Sequence, residues 1–64
     1  MNNADIKNLS IEEINERIAT EQETLQKMKF AHAISPVENP LNIRRTRRLI
    51  ARLQTELRAK ELNS

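Results

Sequence analysis

The sequence contains no cysteine, glycine, tryptophan or tyrosine, and phenylalanine occurs once. Without cysteine there are no disulfides and no thiolate metal ligands, and the single histidine, His32, cannot form a zinc site alone. Without glycine there is no Gly-rich phosphate loop. The tight turns of a sheet protein lose their usual residue, and the aromatic side chains that favour strands are nearly absent. No apolar run approaches the roughly 20 residues of a membrane span, and no signal peptide is visible. A chain of 64 residues makes one small domain, 1–64. At that size only a modest share of the surface is buried, folding alone is marginal, and a partner is expected to complete it. What remains is a charged (31%), helix-favouring composition with 38% hydrophobic residues, read as an all-α, cytoplasmic protein.

Charge is unevenly spread. Residues 1–38 carry four basic and seven acidic residues, a net of −3, whereas residues 39–64 carry seven basic and two acidic ones, a net of +5. The change falls at Ser35-Pro36-Val37-Glu38-Asn39-Pro40. An asymmetry of this kind suggests that one half faces a polyanion, although two ordinary solvated helices would also account for it.

Ser10-Ile11-Glu12-Glu13 reads as a capping box, in which the Ser10 hydroxyl and the Glu13 carboxylate each accept from the other's backbone N–H. Leu9 and Ile14 occupy the positions of a hydrophobic staple, and Glu12, Glu13 and Glu16 place negative charge where the helix dipole favours it. No Pro or Gly follows until Pro36, so the first helix is expected over 10–34. Asn39 is a good N-cap and Pro40 suits the first helical position, which places a second helix over 40–62 after a short Pro-containing turn, 35–39. A connection that short makes the helices antiparallel. Residues 1–9 are expected to form a loose N-terminal segment.

At 100° per residue, Ile11, Ile14, Ile18, Leu25 and Met28 share an arc of about 100° on the first helix, and Ile43, Thr46, Leu49, Ile50, Leu53 and Leu57 one of about 120° on the second. Folding at residues 37–38 sets Leu25 opposite Ile50, Ile18 opposite Leu57 and His32 opposite Ile43. The expected fold is a long antiparallel two-helix hairpin with coiled-coil-like packing. Glu21 and Gln22 interrupt the first stripe as register-setting or edge residues, and His32 reads as a half-buried structural histidine.

The chemistry concentrates in Ile43-Arg44-Arg45-Thr46-Arg47-Arg48-Leu49-Ile50-Ala51-Arg52. Arg44, Arg45, Arg48 and Arg52 cluster almost opposite the apolar stripe, flanked by Arg47 and Arg58. The acidic residues of this helix, Glu56 and Glu61, come only later. Arginine's planar fork suits bidentate phosphate contacts, so a nucleic-acid backbone face is one reading. A solvated basic face, an acidic protein or a membrane surface are the others. Phe30 lies about 140° from its helix's apolar stripe, beside Lys27. It either packs on the turn through Val37 and Leu41 or anchors a partner, pressing on a sugar or base near Lys27 and Lys29. No nucleophile stands beside a base, no carboxylates converge and a two-helix rod offers no concave site, so neither catalysis nor a cofactor nor a small-molecule substrate is expected.

These residues resemble a known family. Leu9-Ser10-Ile11-Glu12-Glu13-Ile14 resembles the opening of the first helix in the large-subunit ribosomal protein twenty-nine family, bacterial type. The segment Asn39 to Leu53, with Asn39-Pro40, the paired arginines and Ile50-Ala51-Arg52, resembles that family's signature, and Lys29-Phe30 matches its basic–aromatic pair. The likeness covers about residues 4–62. It implies a helical hairpin that binds large-subunit ribosomal RNA near the peptide exit tunnel, takes part in translation, and neighbours large-subunit protein twenty-three where nascent-chain factors dock. Residue by residue, it implicates Lys29, Phe30, Asn39, Arg44, Arg47, Arg48 and Arg52 in RNA contact. With Lys27 and Arg45 from the charge pattern, these form the expected RNA-binding set. Three positions depart from the family pattern: Ser35 replaces a common turn glycine, Leu49 a common acidic residue, and Asn42 a common basic one. Leu49 widens the apolar face. The competing readings are an adaptor whose apolar stripe joins another protein's helices, and a DNA binder, which has no helix-turn-helix spacing and no Asn or Gln set to support it.

Overall fold

The computed structural model describes residues 3–35 and 40–63. Three helices follow one another: α1 over Asn3–Lys7, α2 over Ile11–Ile34 and α3 over Pro40–Leu62. Among the described residues there is no strand. The two long helices, α2 and α3, pack against each other as a hairpin, and α1 lies against α3. The molecule is a rod of 44 × 17 × 14 Å. No helix is long and apolar enough to cross a membrane, and no cluster of three or more metal-ligating side chains occurs among the described residues.

The start of α2 is fixed locally. The Glu13 N–H donates to Ser10 Oγ at 3.1 Å and the Ser10 N–H donates to Glu13 Oε1 at 3.1 Å, so two of the helix's unsatisfied donors are met reciprocally. The same two hydrogen bonds favour the charged carboxylate and hold the Glu13 carboxyl below the usual glutamate range, the backbone N–H of Ser10 contributing most. Leu9, just before the cap, is partly buried against the cluster that holds Ile14, as a hydrophobic staple requires. Four threonines along the rod, Thr20, Thr24, Thr46 and Thr55, donate their hydroxyls to the carbonyl four residues back at 2.9–3.0 Å. The turn at 36–39, with Pro36 and the Asn39 cap, lies outside the described residues.

The core is one layer thick. Ile14 and Leu53 are fully buried, and Ile18, Ile43 and Ile50 nearly so. Leu49 and Leu57 are partly buried around the Ile14–Ile18–Leu53 cluster, and on α2 Ile11, Leu25, Met28 and His32 are half-buried. These are the two stripes expected from the 3.6-residue period. His32 Nδ1 is enclosed with no hydrogen-bond partner among the described residues.

The N-terminal segment differs from expectation. Residues 1–9, expected to be loose, include the short helix α1, and Ile6 within it is only 2% exposed, packed into the cluster of Ile14, Ile18 and Leu53. The Lys60 ammonium donates to the Lys7 carbonyl oxygen at 2.9 Å, so a residue from the far end of the chain satisfies the end of α1. The physical reason is burial: Ile6 completes a cluster with Ile14, Ile18 and Leu53 that two helices alone would leave open to water, and Leu9, Leu49 and Leu57 pack around it.

Candidate nucleic-acid interface

Every arginine of α3, namely Arg44, Arg45, Arg47, Arg48, Arg52 and Arg58, is exposed, because packing of the Ile43–Ile50–Leu53 stripe on α2 turns the opposite side of α3 outward. Arg44, Arg48 and Arg52 recur every four residues and stack along one side of the helix. Arg45, Arg48 and Arg52 line one shallow groove with Thr46 and Leu49. Arg47 stands to one side of it. The Thr46 hydroxyl is already engaged by the Asn42 carbonyl, which leaves the three guanidinium groups as the groove's donors without a partner among the described residues.

Among the described residues this band has no ion-pair partner. The ion pairs among the described residues lie on α2: Arg17 with Glu21 at 3.2 Å and Lys27 with Glu23 at 3.3 Å. No carboxylate pairs with Arg44, Arg45, Arg47, Arg48 or Arg52 within the described residues. Packed like charges of this kind repel one another, and a polyanion lying in the groove relieves that repulsion while gaining charge-assisted hydrogen bonds.

The α2 members of the expected set do not join this band. Lys27 and Phe30 line a separate depression with Glu23 and Gln26, on α2 alone, and Lys27 already has a carboxylate partner there. Phe30 is 68% exposed and Ile34 69%, so the only aromatic side chain is not packed away against Leu41. Its outward direction follows from its position about 140° from the stripe that faces α3. Since the arginines face away from α2 and Phe30 faces away from α3, the two sets point to opposite sides of the rod. Lys29 is exposed on α2, and Asn39 lies outside the described residues. Arg52 also lines a second groove, with Lys7 of α1 on its wall, a neighbour that the sequence pattern did not signal because α1 itself was not expected.

Residues 4–60 match the profile of the family described as Ribosomal L29 protein. The chain is 60% identical over 60 residues to the large ribosomal subunit protein uL29 of Cytophaga hutchinsonii, covering 94% of this chain and 97% of that one. Identity to the protein of the same name from Amoebophilus asiaticus is 60% with the same coverage, and to that from Parabacteroides distasonis 48% over 61 residues, covering 95% and 94% of the two chains. No solved structure is a significant match. With a profile match over nearly its whole length and full-length relatives at this identity, the chain belongs to the ribosomal L29 protein family.

Proposed function

We propose that the arginine face of α3 binds large-subunit ribosomal RNA, and that the chain stands near the peptide exit tunnel beside large-subunit protein twenty-three. The coarser part follows from family membership: the chain is a structural protein of the large ribosomal subunit, acts in translation on cytoplasmic ribosomes and is not an enzyme. The observation that supports the finer reading is the groove shared by Arg45, Arg48 and Arg52, three guanidinium groups without a carboxylate partner among the described residues, on a face that folding turns to solvent. Arg44 and Arg47 extend it. Neutralising RNA phosphates there offsets the like-charge repulsion, and the RNA surface completes a rod too thin to bury much of its own. Lys27, Lys29, Phe30 and Asn39 form the secondary part of the proposed contact set. The exit-tunnel position, protein twenty-three and docking of nascent-chain factors rest on the family resemblance.

The test is association of the full chain with a large-subunit rRNA transcript, followed across a salt series for the wild type and Arg48→Glu. The variant is expected to bind more weakly and with a shallower salt dependence, each lost phosphate contact lowering the slope by about 0.7–0.9. Unchanged association would exclude the arginine face. The exposure of Phe30 and Ile34 favours a second surface for a protein neighbour. If Phe30→Ala abolishes protein binding while rRNA association proves insensitive to salt, the adaptor reading replaces the RNA one.

A further inference from the structure

We propose that α1 is part of the RNA-binding surface: Lys7 is a phosphate contact that continues the arginine groove of α3 onto the N-terminal helix. This inference rests on the arginine-face reading and adds a residue and a path to it.

Arg52 belongs to two grooves at once. On one side it lines a groove with Arg45, Arg48, Thr46 and Leu49; on the other it lines one with Ile6, Lys7, Ala51, Thr55 and Glu56. Arg52 is thus common to both grooves. From Arg45 to Arg52 the helix rises about 10 Å, so a phosphate strand that follows the arginines as far as Arg52 reaches the groove that Lys7 lines. Glu56, one turn past Arg52 on α3, also lines this groove and is the carboxylate among its lining residues, beside the two cations Lys7 and Arg52. Neither Lys7 nor Arg52 forms an ion pair among the described residues, which leaves both cations available to phosphate.

Lys7 is not on a loose tail. Ile6, next to it, is buried against Ile14, Ile18 and Leu53, and the Lys60 ammonium binds the Lys7 carbonyl oxygen at 2.9 Å. The backbone is thus anchored from both sides while the Lys7 side chain stays exposed. An anchored cation loses less conformational freedom on binding than one on a flexible segment, and it can prescribe the direction of a phosphate strand.

The experiment measures the binding of a large-subunit rRNA transcript against salt concentration for the full chain and for Lys7→Gln, Arg48→Gln and Arg17→Gln, with helicity checked by far-UV circular dichroism. Lys7→Gln is expected to lower the slope of log K against log salt by about 0.7–0.9, as Arg48→Gln does, while Arg17→Gln leaves it unchanged. If Arg48→Gln lowers the slope and Lys7→Gln does not, the path ends at Arg52 and this inference is overturned. If neither lowers it, the arginine-face reading itself fails. An Ile6→Asn background supplies the second control: with α1 undocked, Lys7→Gln is expected to change the slope no further. An undiminished effect there would mean that Lys7 acts from an unanchored segment, and the continuous path would be wrong.

Discussion

The sharpest prediction about the fold concerns Leu53, which is fully buried where α3 meets α2 and α1. Leu53→Ala removes a side chain that touches the Ile6, Ile14 and Ile18 cluster, and a layer one residue thick has no second shell to collapse into the gap. Core Leu→Ala changes cost about 2–5 kcal/mol. A chain of this length has about 3–10 kcal/mol of stability in total, and small size places it toward the lower end. The substitution is therefore expected to remove at least a third of the stability. At about 4–8 °C per kcal/mol, that is a fall in Tm of at least roughly 8 °C. The assay is thermal unfolding followed by circular dichroism at 222 nm, run beside Phe30→Ala as the comparison. Phe30 is 68% exposed, so its truncation is expected to stay within about 0.5 kcal/mol of wild type. Similar losses for the two variants would refute the hairpin seam described here and with it the outward direction of the arginines.

Three further outcomes follow from named contacts. Ser10→Ala removes the acceptor for the Glu13 N–H and is expected to cost about 1 kcal/mol, read as a lower midpoint in urea with an unchanged m-value. Because the Glu13 carboxyl is held below its usual range in the folded state, its contribution is fully present above the ordinary glutamate value and is lost as pH falls through the lowered one. An acid titration of helicity should accordingly be shallower for Glu13→Gln, and coincident curves would count against the charged capping box. Lys60→Met leaves the Lys7 carbonyl without its cross-chain donor, so amide exchange at Asn8 and Leu9, whose N–H groups bond back into α1, should speed up while exchange within α2 does not.

What could be read from the sequence was whatever is local or periodic. Ser10 and Glu13 define the start of α2 by their own hydrogen bonds, and the isoleucine and leucine spacing on both helices gives the buried stripes. The arginine band follows from the same wheel, because side chains opposite a buried stripe have no direction but outward. The helix α1 could not be found this way. Five residues with a single buried isoleucine carry no period, and so short a helix exists only through its docking. Its one trace was Leu49, which widens the apolar face of α3 and packs against the cluster that holds Ile6. The separation of Phe30 and Lys27 from the arginines was legible in principle from their angle. It becomes plain only when α2 and α3 are set side by side, with each outer surface turned from the other.

The thinness of the rod has a consequence of its own. With transverse dimensions of 17 and 14 Å, two neighbours pressing on opposite sides are held apart by little more than the backbones and interlocked aliphatics between them. Close-packed interiors resist compression, so that gap is a fixed gauge rather than a soft cushion. A neighbour against the guanidinium side would thereby be set at a defined spacing from one that covers Phe30.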